Sequence, residues 1–429
     1  PNRDSFVDCG GQAIANTRGR SSYLFAVLFL DLDRFKVIND SLGHLAGDEL
    51  LMSIVQRLRA SLSHSDTVAR VGGDDFAILA RNVDVGSAVD LADRIHQALI
   101  VPFDLEGQEV FVTASIGIAV GGESATASVG EQPEHLLRDA HTAMYRAKAL
   151  GAGRYQVFNA SMHDLAVERL QLETDLRMAL KRREFLLHYQ PFVCLATGRI
   201  IGFEALVRWQ HPLRGLVSPV KFIPVAEETG AIVPLGEWVL EEACRQLRIW
   251  EVMFEVDRPL IMSVNLSGKQ FAQPNLVARI QEILKATGLS GHSLKLEITE
   301  SVVMDDVESA IAVLKQMKGL NVKLGIDDFG TGYSSLSYLS RFPTDTLKVD
   351  KSFVGRMETE SEGENVAIVR TIVTLAHALG MDVIAEGVET AAQLAKLRAI
   401  GCEYGQGYFF AKPLPSDEAT VLMSSRPQW

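Results

Sequence analysis

Downstream of residue 184, β-prone runs recur with helical patterns between them, at 185–189, 200–206, 260–265, 294–298, 323–327, 346–349, 382–385 and 407–410. Eight such runs in roughly 250 residues leave few ways to bury every strand, and the (β/α)8 barrel closes them on one another. The stretch from 186 to 200 is too short for a crossover helix, so one strand pair is expected to be antiparallel. The reading for 184–429 is a modified (β/α)8, or TIM, barrel with one antiparallel strand.

The part before it keeps a different rhythm. An apolar run at 24–30 reads as a buried strand, and 46–62 repeats apolar residues at helical spacing. Runs at 67–71 and 76–79 flank Gly72 and Gly73 and read as a hairpin. A helix near 88–99, a strand pair ending in 111–120, a polar loop at 121–132 and a helix near 134–149 complete the pattern. The expectation is an antiparallel or mixed central sheet with helices on one side, occupying 1–159. Segment 160–183 reads as a helical linker with Leu165, Leu172, Leu176 and Leu180 on its apolar face. A chain of 429 residues is long enough to give each part its own core.

Composition excludes several classes. A net charge of -12 argues against a duplex nucleic acid surface, which needs a basic stripe. The 47% hydrophobic and 22% charged fractions are those of a soluble globular protein, and no apolar run reaches bilayer length. Cys9, Cys194, Cys244 and Cys402 lie far apart and read as thiols of a reducing compartment, so the expected location of this segment is cytoplasmic. The chain begins at Pro1-Asn2-Arg3 without a methionine or an apolar leader, which suggests an upstream sensory region and leaves membrane anchoring of a parent chain open.

Polar groups gather at the expected strand ends. Glu204, Asn265, Glu297, the adjacent Asp327 and Asp328, Lys348, Glu386 and Glu389 each close or follow an apolar run, and Gln406 precedes the last one. Chemistry on a barrel of this kind sits where the strands finish. Two neighbouring carboxylates are costly unless positive charge lies beside them. A lone strand-end glutamate such as Glu204 is ordinarily a cap or a surface charge, but the whole set of oxygen donors describes a site for Mg²⁺ or Mn²⁺. Two ions about 4 Å apart would activate water for attack at phosphorus, with Lys348 orienting it or neutralising phosphoryl charge. In the first part, Asp31 and Asp33 end a strand, and Asp74 and Asp75 follow the glycine turn. Apposed, Asp31 and Asp74 could hold Mg²⁺ on a nucleoside triphosphate.

The second part resembles the EAL phosphodiesterase family over about 170–415, through Glu204-Ala205-Leu206, Asn265, Glu297 to Glu300, Asp327 to Ser335, Lys348 to Asp350, Glu386 to Glu389 and Gln406-Gly407. That resemblance implies hydrolysis of cyclic di-GMP to linear pGpG with two Mg²⁺ or Mn²⁺ ions. It implies that Glu204, Asn265, Glu297 and Asp327 hold one ion, that Asp327, Asp328 and Glu386 serve the second, and that Lys348 helps activate water. Gln190, Arg208, Asp350 and Gln406 become substrate contacts. The resemblance also implies that the loop at 329–335 couples the metal site to a homodimer interface and is steadied through Glu389.

The first part resembles the GGDEF diguanylate cyclase family over 1 to about 158, with a nucleotidyl-cyclase-like sheet. By resemblance Asn39 and Asp48 read guanine, Asp31 and Asp74 bind metal, and Lys148 meets phosphate. Three positions depart from the family: Asp75 stands where a glutamate is usual, Ala152-Gly153 where Arg-Asn is usual, and Ser63 where the inhibitory motif ending in Asp66 has arginine. The expectation is a domain that binds GTP with Mg²⁺, has weak or no cyclase activity and regulates the hydrolase. A bifunctional cyclase and phosphodiesterase, or a silent cyclic di-GMP receptor, are the alternatives.

Overall fold

A computed structural model of the chain describes residues 3–17, 24–105, 107–122, 132–254, 259–330, 336–358 and 362–429. The chain divides into two compact units, Pro1–Leu170 and Gln171–Trp429. Among the described residues no helix is long and apolar enough to cross a membrane.

The first unit is built on a five-stranded sheet in the order Thr67–Gly72, Asp75–Arg81, Phe25–Leu32, Ala114–Gly121 and Tyr155–Val157. Only the last pairing is parallel. Strand Phe25–Leu32 is apolar at nearly every position, and its alternation divides it between two cores. Phe25, Val27 and Phe29 join Phe6, Leu136, Leu137 and Met144, whereas Ala26, Leu28, Leu30 and Leu32 join Leu50, Ile54, Leu91 and Ile95. Helices therefore cover both faces: Arg3–Thr17 and Pro133–Ala149 one, His44–Ser61 and Val85–Ile100 the other. This corrects the expectation of helices on one side, because a strand without a polar face has to be covered twice.

The strand pair expected to end in 111–120 also differs. Phe103–Leu105 and Gln108–Val110 form a separate two-stranded sheet, turned at Gly107, and the next strand of the five-stranded sheet begins only at Ala114. Phe111 is 70% exposed between them. The loop expected at 121–132 falls mostly outside the described residues, as do Pro1 and Asn2.

In the second unit eight strands close a barrel in the order Phe185–Cys194, Arg199–His211, Ile261–Asn265, Leu294–Thr299, Lys323–Phe329, Thr346–Val349, Asp382–Ala385 and Tyr404–Gln406. The first strand is antiparallel to both of its neighbours, and the other pairings around the ring are parallel. A short strand, Gly215–Val217, extends the second. Along the fourth strand Leu294, Leu296 and Ile298 enter the apolar core, leaving Lys295 and Glu297 for the opposite face. The last strand is Tyr404–Gln406, not 407–410. The chain then passes so close to Val388 that a side chain at Gly407 would stand 2.1 Å from its carbonyl oxygen, and the following Phe410 packs in the core.

Helix Ala160–Ala179 carries Leu172, Leu176 and Ala179 into the core of the second unit, with Leu180 packed against it. The Leu165 side chain lies outside the described residues.

Candidate active site

Parallel pairing delivers the polar residues to one end of the barrel. Glu204 lies opposite Ser263, Asn265 opposite Glu297, and Thr299 opposite Asp327, so successive strand ends step round a ring. Lys348 stands inside that ring, 1% exposed. Its Nζ lies 2.6 Å from Glu386 Oε1, 2.7 Å from Glu297 Oε2, 3.3 Å from Asp327 Oδ1 and 3.6 Å from Glu204 Oε2.

One ammonium thus faces four carboxylates, and the electrostatics follow. Burial by itself disfavours the charged lysine, but Asp327, Glu204, Glu297 and Glu386 outweigh it and hold the ammonium well above the usual lysine range. Burial raises Glu297 despite the nearby ammonium, and it pushes Glu386 up to about 8, helped by Asp327 and Glu204. The ring carries more negative charge than Lys348 can neutralise.

A regular strand would point Asp327 and Asp328 to opposite faces. Here the register slips between Ile326 and Phe329, and Asp328 takes a left-handed backbone with φ 54. The bulge re-aims the second carboxylate. Asp328 N–H donates to Asp327 Oδ1 at 2.9 Å. Carboxylate oxygens of Asp327, Asp328 and Glu386 then lie within 4.8 Å of one another. Burial first, then Asp327 and Asp350, raises the Asp328 pKa. Crowded, under-compensated oxygen donors of this kind fit a hard divalent cation.

Amides fix the remaining carboxylate. Asn265 Nδ2 donates to Glu204 Oε1 at 2.6 Å, and Gln406 Nε2 to Glu204 Oε2 at 2.7 Å and Gln190 Oε1 at 3.0 Å. Gln406 ends the last strand rather than preceding it. Arg208 is half-buried, donates to the Val207 carbonyl, and has its pKa lowered by burial. Asp350 caps helix Lys351–Gly355 through Ser352 N–H.

Glu389 sits before helix Ala391–Ile400, where its N–H donates to Gln393 Oε1. Residues 331–335 of the loop assigned to it lie outside the described residues. At the start of that loop the contact belongs to Glu300, whose Oε2 accepts from Gly330 N–H at 3.4 Å. Glu300 is 5% exposed and, among the described residues, its Oε1 has no partner. Sequence reasoning passed over it because an acid in a first helical turn is ordinarily a dipole residue.

In the first unit Lys148 Nζ lies 2.7 Å from Asp31 Oδ1. Asp75 pairs directly opposite Asp31 across the strands, and burial, then Asp31 and Asp74, push it up to about 6. Asn39 lies over Gly47, where a Cβ would meet its Oδ1 at 1.9 Å, which brings it close to the helical turn bearing Asp48. Asp33, assigned no role from the sequence, is buried and accepts from Thr113 Oγ1, Ser115 Oγ and Gly153 N–H at 2.7–2.9 Å. It thereby holds the segment in which Ala152-Gly153 departs from the family. Asp66 is engaged by the Ser63 and Arg81 N–H groups.

Residues 173–413 match the EAL domain family, and residues 1–154 the diguanylate cyclase, GGDEF domain family. The chain is 43% identical over 418 residues, 97% of its length, to the bifunctional diguanylate cyclase/cyclic di-GMP phosphodiesterase MucR of Pseudomonas aeruginosa. It is 39% identical over 416 residues, again 97% of its length, to the cyclic di-GMP phosphodiesterase PdeR of Escherichia coli. It spans 60% and 61% of the lengths of these relatives. Among solved structures, PaMucR phosphodiesterase in its c-di-GMP complex is 44% identical with a TM-score of 0.56, over 58% of this chain and 99% of that one. The EAL enzyme Bd1971 with cAMP and cyclic di-GMP bound is 27% identical with a TM-score of 0.58, over 94% and 96% of the two chains. With its acidic ring at the strand ends of a barrel that has one reversed strand, the chain belongs to the EAL family and carries a GGDEF domain ahead of its EAL domain.

Proposed function

We propose that the barrel hydrolyses cyclic di-GMP to linear pGpG. The observation that carries this reading is the ring of Glu204, Glu297, Asp327 and Glu386 about the buried Lys348, beside the cluster Asp327, Asp328 and Glu386. In this reading Asp327, Asp328 and Glu386 hold one divalent ion, and Glu204, Asn265, Glu297 and Asp327 the other. Bound Mg²⁺ or Mn²⁺ supplies charge for the phosphoryl oxygens and lowers the pKa of water. Lys348 remains an ammonium throughout, restrains the carboxylates against mutual repulsion and offers hydrogen bonds to the attacking water. Gln406 and Asn265 fix both oxygens of Glu204. Arg208, close enough to Glu204 to feel its charge, is available to a substrate phosphate, with Gln190 and Asp350 as further contacts. The test is chromatography of pGpG formed from cyclic di-GMP with Mg²⁺ and then Mn²⁺. Turnover is expected, with a loss of about 10²-fold or more in Glu204→Gln. Absence of pGpG with both ions sinks the proposal.

A second activity is favoured over a purely regulatory first unit by the 43% identity to a relative named as bifunctional. Lys148 paired to Asp31 near Asp74 supports it, as do Asn39 and Asp48 on adjoining helices. In this reading two GTP-loaded copies of the chain meet to condense GTP. Incubating Glu204→Gln chain with GTP and Mg²⁺ spares any product from hydrolysis. Accumulating cyclic di-GMP supports bifunctionality; bound but unreacted GTP returns the unit to a regulatory role.

A further inference from the structure

Strand Arg199–His211 runs on past the acidic ring. Its neighbour Ile261–Asn265 pairs with it only from Gly202 to Ala205. From Leu206 onward the support comes from Phe185–Cys194, which ends opposite Trp209, and from the short strand Gly215–Val217, which pairs with Trp209 to His211. Arg208 stands in this overhang. Pairing with Phe185–Cys194 is regular from Phe203 to Trp209, so Arg208 shares the face of Glu204, four residues further along the strand. Among the described residues its hydrogen bond goes to the carbonyl of its own neighbour Val207, at 2.9 Å, a contact that does not fix where the strand end lies.

The overhang is held from its other face, where Trp209 and His211 are buried. The Leu213 and Arg214 N–H groups donate to His211 Nδ1 at 3.1 and 3.2 Å. Backbone N–H can only donate, so Nδ1 accepts and the ring proton sits on Nε2. Nε2–H then donates to Asp175 Oδ2 at 3.1 Å, on the part of helix Ala160–Ala179 that belongs to the second unit. Two further bonds tie the overhang down: Arg214 Nη2 donates to Gln171 Oε1 at 3.1 Å, and Trp209 Nε1 to Glu184 Oε2 at 2.9 Å. His211 is 4% exposed, and both of its nitrogens are used. One imidazole closes the turn after the strand and latches that turn to the helix.

We infer that Asp175 and His211 are positioning residues that act through Arg208, holding the strand end so that the guanidinium meets a substrate phosphate at the pole of the acidic ring. This rests on the reading of the barrel as a cyclic di-GMP hydrolase. It gives the helix ahead of the barrel a part in substrate affinity, because a contact displaced by about 1 Å can cost up to about 10²-fold.

Calorimetric titration of cyclic di-GMP into the full chain in EDTA, where no turnover competes, is the measurement. Asp175→Ala, at a partly exposed helix position, is expected to weaken binding about tenfold. Asp175→Asn keeps an oxygen for the imidazole N–H and is expected to recover most of that loss. In an Arg208→Ala background the Asp175→Ala change is expected to cost less than about twofold, because the latch acts through the arginine. Mg²⁺ affinity is expected to be the same in Asp175→Ala as in the natural chain, since Arg208 is not among the ion's ligands. Equal losses with and without Arg208, or a parallel fall in Mg²⁺ affinity, would make the latch merely structural and overturn the inference. Unchanged binding in Asp175→Ala overturns it too and leaves the hydrolase reading standing. A natural chain that does not bind cyclic di-GMP strikes down that reading, and this inference with it.

Discussion

Lys348 is the residue on which the most charge converges. Removing one partner from a buried ionic cluster leaves the others uncompensated, at a cost of about 3–5 kcal/mol. Lys348→Met is therefore expected to lower stability by that amount in EDTA, with Mg²⁺ restoring part of it as substitute positive charge. Urea unfolding with and without Mg²⁺ checks this, and a variant as stable as the natural chain in EDTA contradicts it. Asp75 presents the reverse case. Its folded pKa is raised to about 6 from 3.8, so its contribution is fully favourable below 3.8 and is lost as pH rises through about 6. Asp75→Asn is expected to raise the Tm of the first unit near pH 7, with a smaller gain near pH 4. The gain is modest because solvent screens this half-exposed group. Equal gains at both pH values would show that the repulsion from Asp31 and Asp74 is not its source.

Among the elements, strand Lys323–Phe329 does the least expected thing. Period-two alternation points neighbouring residues to opposite faces, so the paired aspartates signalled a metal site without revealing how both could reach it. The bulge at Asp328 supplies that, and a long-range pairing shift of this kind has no local signature. Asp328→Asn keeps a residue that tolerates the left-handed backbone and removes one of the crowded charges. Its Tm in EDTA is expected to equal or exceed that of the natural chain, while Mg²⁺ affinity falls about tenfold or more. Calorimetric titration of Mg²⁺ measures the affinity, and unchanged binding would remove Asp328 from the ligand set. The last strand misled for a related reason. Tyr408, Phe409 and Phe410 carry high β propensity, but the sheet ends at Gln406: the Phe409 and Phe410 rings pack on the core and on each other, while Tyr408 stays exposed.

For the molecule as a whole, fold class was legible because strand count and spacing leave few closed arrangements, and residue types at strand ends marked the pole where the acidic ring gathers. The two-sided cover of the first sheet was less legible, since the apolar run at 24–30 does not say which helices lie on which face. Lys295 was invisible, because a lysine between Leu294 and Leu296 looks the same whether it faces solvent or the barrel interior. Each unit owns its core, so Mg²⁺ without nucleotide is expected to shift one thermal transition and leave another in place; differential scanning calorimetry showing a single shifted transition would contradict that independence. The reversed first strand has a mechanical meaning. Because Phe185–Cys194 runs against its neighbours, with Gln190 paired to Glu204 and Phe185 to Trp209, the chain enters the barrel at the end where the parallel strands finish. A pull or twist on the helix ahead of Phe185 is therefore delivered to the rim of the acidic ring, whereas a parallel first strand would have carried the same force to the far pole.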